Sequence, residues 1–290
     1  MDDGITIVKC GGSVVAHMEQ VCDDLAKRRA RGERAVLVHG GGPDIDALAA
    51  DLGITPRTLV SPDGMVSRHT DAALRDVVTM AMTGRVKPRL LAALNRAGVP
   101  AVGLTGLDGG LLSARRKTAR RSLVDGRTML VRDDYSGKIT GVDPLILRTL
   151  LDAGVLPVVS PPAAGPDGEP LNVDADRAAA AVAVALRASR LLLLTAAPGL
   201  LADPADEASV LPRCTLSSAA DSPYPASGGM FRKLVAAVEA LRGGVPVVRI
   251  SDGRTSDPVT GAINGAGTTV LLGPGEPLAH RAAQRPGASR

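Results

Sequence analysis

Short apolar runs recur along the chain, and most stop at glycine or a small polar residue: Ile5 to Val8, Ala35 to Val38, Ala101 to Leu104, Val155 to Val159 and Leu191 to Leu194. Largely apolar runs of this length, without sustained apolar–polar alternation, predict strands buried on both faces. Val245 to Ile250 and Thr268 to Leu272 predict two more. Between the runs lie stretches of helical period, at His17 to Arg31, Thr70 to Met82, Lys87 to Ala97, Pro144 to Ala153, an alanine-rich stretch ending at Arg187, and Met230 to Arg242. Gly32 and Gly98 close two of them, as helix-terminating glycines do. Strand and helix alternate, so the expected fold class is α/β with a mainly parallel central sheet.

Four stretches break the alternation. Thr55 to His69 predicts a hairpin turning at Pro62-Asp63-Gly64, and Leu112 to Val142 predicts a β-rich insert with turns at Asp125-Gly126 and Tyr135-Ser136-Gly137. Pro161 to Pro170, dense in proline and glycine, is the expected hinge or lobe boundary. Ala197 to Gly229 is long, proline-rich and irregular, of the kind that serves a ligand in a compact domain. The organisation expected is an N-terminal lobe over 1–160, a C-terminal lobe over 161–275 and a mobile tail over 276–290.

Two of the strands end in glycine turns. Ala35 to His39 runs into Gly40-Gly41-Gly42 and then Pro43, a residue suited to the first turn of a helix. Ile5 to Lys9 runs into Cys10-Gly11-Gly12-Ser13. Strand–glycine–helix units bring free N–H groups close to a ligand and carry partial positive charge, which suits an anion such as a phosphate. The same sequences also fit two ordinary tight turns. Neither is a G-x-x-x-x-G-K-[ST] nor a G-x-G-x-x-G signature, which disfavours a dinucleotide oxidoreductase.

Composition narrows the chemistry. The chain has 290 residues, 45% hydrophobic, 22% charged and 1% aromatic, with net charge +4. So few aromatic rings leave almost no platform for stacking bases, and the mild charge argues against a general nucleic-acid binder. Cys10, Cys22 and Cys214 are an odd number without C-x-x-C spacing, which points to a reducing compartment and no zinc site. No apolar run is long enough to cross a membrane and Met1-Asp2-Asp3 does not open a signal peptide, so a cytoplasmic protein is expected. The basic residues are uneven: Arg115, Arg116, Lys117, Arg120 and Arg121 fall within one short segment of the insert. Such a run is commonly a solvated face.

Phosphoryl transfer needs charge neutralisation and alignment more than covalent help from the protein. Lys9 and Lys233, both beside glycines, could supply it, although Lys233 alone also reads as a surface residue. An ionised carboxylate acceptor needs no general base, which suits a chain with four histidines and no evident catalytic dyad. Asp176, at the start of the alanine-rich helix, is either an N-cap or the group that holds both lysines. Asn172 offers donors and an acceptor to an amino-acid substrate, and Arg68 a guanidinium for a carboxylate.

Taken in order, Lys9-Cys-Gly-Gly12, Val38-His-Gly-Gly-Gly42, Asn172-Val-Asp-Ala-Asp176 and Gly228-Gly-Met-Phe-Arg-Lys233 resemble the amino acid kinase superfamily, in its N-acetylglutamate kinase branch, from Lys9 to Leu271. The resemblance implies an αβα sandwich whose N-terminal lobe takes the acidic substrate and whose C-terminal lobe takes ATP, with Mg2+ carried mainly on the nucleotide phosphates. It implies that Lys9 and Lys233 stabilise the phosphoryl group and Asp176 organises them. Gly11, Gly12, Gly41 and Gly42 would donate N–H bonds to phosphates, and Arg68 and Asn172 would hold the amino-acid end. Ser67-Arg-His-Thr-Asp71, Leu107-Asp-Gly-Gly-Leu-Leu112 and Arg132-Asp-Asp-Tyr-Ser-Gly-Lys138 look like the kinases of that branch that act on aminoadipate or glutamate attached to a small acidic LysW-type carrier protein. For these, Arg115, Arg116, Lys117, Arg120, Arg121 and Lys138 would form a carrier-facing rim, since complementary charge speeds and orients encounter. A homodimer through the N-terminal lobe is implied as well. Ala196 departs from the branch, which usually has a polar residue there, and bears on nucleotide preference. The alternatives are a kinase of free N-acetylglutamate and a nucleotide-binding sensor that has lost catalysis.

Overall fold

The computed structural model describes residues 4–60, 66–116, 119–124, 127–219, 222 and 228–273. The turns at 62–64 and 125–126 and the tail over 276–290 lie outside the described residues.

Each long apolar run is a strand, and they hydrogen-bond into one sheet. β1 (Ile5–Cys10) lies at its centre, between β2 (Arg34–His39) and β12 (Arg190–Thr195), parallel to both. Beyond β2 come β10 (Leu156–Ala164), β6 (Leu112–Arg116) and β9 (Gly137–Val142), with β5 (Ala101–Gly106) and β11 (Pro170–Leu171) also on β10. Beyond β12 come β14 (Val248–Asp252), β15 (Thr268–Leu272) and β13 (Arg213–Leu216). The sheet is continuous across the expected lobe boundary.

Successive side chains of a strand leave opposite faces. Ile7, Val36, Val38, Leu191 and Leu193 pack under α5 (Leu145–Asp152), α6 (Ala175–Leu186) and α7 (Gly228–Arg242). Val8, Cys10, Leu37, Leu192 and Leu194 pack under α1 (Met18–Arg29), α2 (Gly42–Asp51), α3 (Ala72–Met80), α4 (Lys87–Arg96) and α8 (Pro258–Ile263). The three-layer αβα arrangement expected from the sequence is present.

Three stretches differ in detail from the pattern read along the chain. The helices over Thr70 to Met82 and Lys87 to Ala97 are contiguous through a π-helical turn, Ala81–Val86. Within Pro161 to Pro170, β10 continues through Pro161 and Pro162 to Ala164, with Pro161 and Pro162 buried. Proline fits a strand where no ladder N–H is required of it. Ala197 to Gly229 contains β13, which pairs with β15 at the sheet edge.

The hairpin and the insert join in space. β3 (Thr58–Val60) and β4 (Val66–Arg68) pair antiparallel, and β3 also pairs with β7 (Arg120–Val124), which pairs with β8 (Arg127–Val131). The Ser122 hydroxyl accepts from the Val60 N–H and donates to the Val60 carbonyl, both at 3.1 Å. Together they form a second, small antiparallel sheet.

Candidate active site

Lys9 is the penultimate residue of β1 and, paired beside Val38, leaves the sheet on the face covered by α6 and α7. Asp174, not Asp176, caps α6, accepting from the Arg177 N–H at 3.0 Å. Asp176 is thereby free to turn into the sheet, where one carboxylate oxygen lies 2.8 Å from Lys9 Nζ and the other 3.4 Å from Lys233 Nζ of α7. Lys9 and Asp176 are 5% exposed and Lys233 7%. The sequence order Lys9, Asp176, Lys233 thus becomes one buried triad with two cations and one anion.

The imbalance sets the ionisation. Burial would raise the Asp176 carboxyl, but Lys9 and then Lys233 outweigh it and hold it below the ordinary carboxylate range. Burial would lower Lys9, but its contact with Asp176 outweighs that and raises it. Lys233 ends lowered, by burial and then by the charge of Lys9, which Asp176 offsets only in part. The triad therefore keeps an excess of positive charge that a phosphoryl oxygen would neutralise.

The two glycine turns meet beside it. A Cβ on Gly12 would lie 2.9 Å from Pro43 Cδ and 3.0 Å from the Gly42 nitrogen, so only glycine lets the turns abut. The N–H groups of Gly12, Gly41 and Gly42 make no hydrogen bond among the described residues, and are free for an anion. Gly11 corrects the expectation for it: its N–H already bonds the Leu194 carbonyl at 3.3 Å, closing the turn onto β12 instead of facing a ligand.

Gly41 is packed from below by the π-turn. A Cβ there would sit 2.3 Å from Met82 Cε and 2.8 Å from Val86 Cγ2. Met82 can swing its flexible end away; buried, β-branched Val86 cannot, so Gly41→Ala is expected to cost about 1–3 kcal/mol in urea unfolding. Gly42→Ala, with nothing within 4 Å of the added carbon, should leave the midpoint unchanged. Equal midpoints for both variants would refute this packing.

Arg68 ends β4 and pairs with Asp46 of α2. Asn172 is braced on three sides: its N–H bonds the Tyr135 carbonyl at 2.9 Å, its carbonyl accepts from the Gly137 N–H at 2.8 Å, and its side-chain amide donates to the Thr70 hydroxyl at 3.0 Å. Sequence reasoning did not single out Asp134, which is fully buried and ties the Thr70 and Ser136 N–H groups through one oxygen at 3.2 and 3.1 Å. Nor did it single out Thr70, the group that links Asn172 to α3. A short polar run carries no periodicity, so no signal distinguished either.

The basic rim divides. Arg115 on β6 and Lys138 on β9 are exposed and directly opposed across an antiparallel pair. Arg121 is exposed as well. Arg116 is engaged elsewhere, which corrects its place on the rim: its guanidinium lies 3.8 Å over the Tyr135 ring and donates to the Asp134 and Arg132 carbonyls, each at 3.0 Å. Lys117 and the side chain of Arg120 lie outside the described residues.

Cys10 and Cys22 are buried and unpaired, with thiols pushed up to about 12 by burial, so neither is a nucleophile at neutral pH. Among the described residues no helix is long and apolar enough to cross a membrane, and no cluster of His, Cys, Asp or Glu could hold a metal ion.

Residues 4–252 match the Amino acid kinase family. A [LysW]-aminoadipate kinase of Deinococcus radiodurans is 41% identical over 264 residues, 91% of this chain and 90% of its own. An acetylglutamate kinase of Symbiobacterium thermophilum is 37% identical over 273 residues, 91% of this chain and 90% of its own. In three dimensions a carbamate kinase of Giardia lamblia bound to AMP-PNP shares the fold with TM-score 0.66 at 16% identity, over 94% of this chain and 99% of that one.

Proposed function

Because the chain belongs to the amino acid kinase family, we propose that it transfers the γ-phosphoryl group of ATP to the side-chain carboxylate of aminoadipate or glutamate attached to a LysW-type carrier protein. A carboxylate oxygen attacks phosphorus, the bond to the β-phosphate oxygen breaks, and an acyl phosphate and ADP result. No proton is moved, so no base is required. The observation that carries this reading is the buried Lys9–Asp176–Lys233 triad, with its surplus positive charge beside the N–H groups of Gly12, Gly41 and Gly42, which make no hydrogen bond among the described residues. Lys9, Lys233 and the N–H groups of Gly12, Gly41 and Gly42 hold the phosphoryl oxygens. Mg2+ held on the nucleotide phosphates would supply further charge neutralisation.

In this reading residues 1–160 take the acceptor, with Arg68 and Asn172 at its amino-acid end, and 161–275 take ATP. A homodimer through the N-terminal lobe belongs to the same reading and rests on the family resemblance alone.

Choice of a carried acceptor is favoured by the relative at 41% identity and by the rim. Like charges directly opposed on neighbouring strands repel and are retained at a cost. Arg115 and Lys138 stand so, in the open, where an acidic protein would relieve the repulsion.

The test is turnover with MgATP and either carrier-bound aminoadipate, carrier-bound glutamate or free N-acetylglutamate, reading ADP release and trapping the acyl phosphate with hydroxylamine. Turnover of a carrier-bound amino acid is expected. Turnover of the free metabolite alone would establish the acetylglutamate kinase alternative, and ATP binding without any acyl phosphate the sensor. On the carrier-bound substrate, the double variant Arg115→Ser, Lys138→Ser should raise KM about tenfold at low salt and little at high salt, leaving KM for ATP unchanged, because surface charge pairs act through a screened field. A KM indifferent to both charge and salt would remove the rim from the mechanism.

A further inference from the structure

His39 closes β2 directly before Gly40-Gly41-Gly42 and is fully buried. Paired beside Cys10, it leaves the sheet on the α2 and α4 face, opposite to Lys9. Its Nδ1 lies 3.2 Å from the Gly40 carbonyl oxygen, which can only accept, so Nδ1 carries the proton. Burial lowers the ring to about 4, helped by the charges of Lys87 and Lys9, so it is neutral at physiological pH with its one proton on Nδ1. Its Nε2 is buried with no hydrogen-bond partner.

Of the peptide units in the turn, two are fixed by backbone bonds. The Gly40 N–H donates to the Cys10 carbonyl at 3.3 Å, and the Gly41 carbonyl accepts from the Ile45 N–H at 2.9 Å. The unit between them, Gly40 C=O with Gly41 N–H, has no backbone bond; among the described residues its one contact of this kind is to His39. It is flanked by glycine on both sides, so a flip of that peptide plane meets little steric resistance. The peptide is trans, and in a trans peptide the carbonyl and the following N–H point in opposite directions. A carbonyl held down onto the imidazole therefore turns the Gly41 N–H away from the α2 and α4 face, toward the side on which Lys9 emerges.

We infer that His39 is a positioning residue: by donating from Nδ1 to the Gly40 carbonyl, it locks the Gly40–Gly41 peptide so that the Gly41 N–H faces the transferring phosphoryl group. The inference rests on the kinase reading for the identity of that group, and on the geometry of the turn for the rest.

Asparagine places its amide nitrogen close to where Nδ1 stood; glutamine places it near Nε2. His39→Asn should keep kcat within about threefold of the parent, whereas His39→Gln and His39→Leu should lose tenfold or more in kcat with a smaller change in KM. A purely structural role would rank the three by melting temperature, with no advantage to asparagine over glutamine, and that ranking would overturn the proposal. A second measurement does not depend on turnover. In 15N-labelled protein, magnesium AMP-PNP should move the Gly41 amide proton downfield in the parent and in His39→Asn but not in His39→Gln. Equal shifts in the parent and His39→Gln would also overturn it, while a parent that shows the shift but forms no acyl phosphate would fault the kinase reading and leave the positioning role standing.

Discussion

Lys9→Met is expected to lower kcat by about 10²- to 10³-fold, the loss that follows removal of one preorganised contact to charge developing in a transition state. The protein should nevertheless fold. Lys9 and Lys233 share a single carboxylate, so deleting one ammonium leaves Asp176 and Lys233 as a balanced pair, and methionine refills the space of the buried stem. The substitution also has a signature in pH. Lys233 is lowered partly by the charge of Lys9; without that charge its ammonium should hold its proton to higher pH, and the residual activity should persist further into the alkaline range. Steady-state kinetics across pH, with KM for ATP followed separately, checks both statements. Loss confined to KM, with kcat intact, would mean that Lys9 serves ground-state binding instead of the transition state.

How much of this could be read from the chain depends on the range over which each signal acts. The buried strands, the glycine turns and the helix starts are local: a run of apolar residues, a missing Cβ, a capping side chain. They placed Lys9 at a strand end, the mainly parallel sheet followed from the alternation, and the αβα layering was implied by the family resemblance. Which strands are neighbours is not local, and the joining of the Thr58–Arg68 hairpin to β7 of the insert rests on one nonlocal register, Val60 opposite Leu123. Between Asp174 and Asp176, two carboxylates at one helix start, composition does not choose. Geometry does, since the residue that caps the helix is spent and the other is released into the sheet. Arg116 shows the opposite failure: a cation in a basic run reads as surface, yet it packs on Tyr135, a ring nineteen residues later that only the folded insert brings beneath it.

Asp176→Asn should act through stability as well as through rate. It preserves shape and removes the one negative charge, leaving two buried ammonium groups facing an amide. Removal of one member from a buried ion pair costs about 3–5 kcal/mol, because the partner stays buried without compensation, and here two partners are left. Urea unfolding at pH 7 reads the loss directly. Its pH dependence identifies the cause. In the variant both lysines are pushed below 10.5, so the unfolded chain binds more protons than the folded one and stability rises with pH toward that value. In the parent, the raised Lys9 contributes stability that is complete below 10.5 and declines as pH climbs through its folded value. The two curves must therefore converge on the alkaline side. They converge on the acid side too, because the depressed carboxyl of Asp176 contributes stability that is present above 3.8 and is lost as pH falls through its folded value. Adding Lys233→Met to Asp176→Asn removes one of the two stranded charges and should restore much of the stability while restoring none of the activity. A gap between parent and Asp176→Asn that stays constant with pH, or a double variant no more stable than the single, would mean that lost packing, and not unpaired charge, is what the substitution exposes.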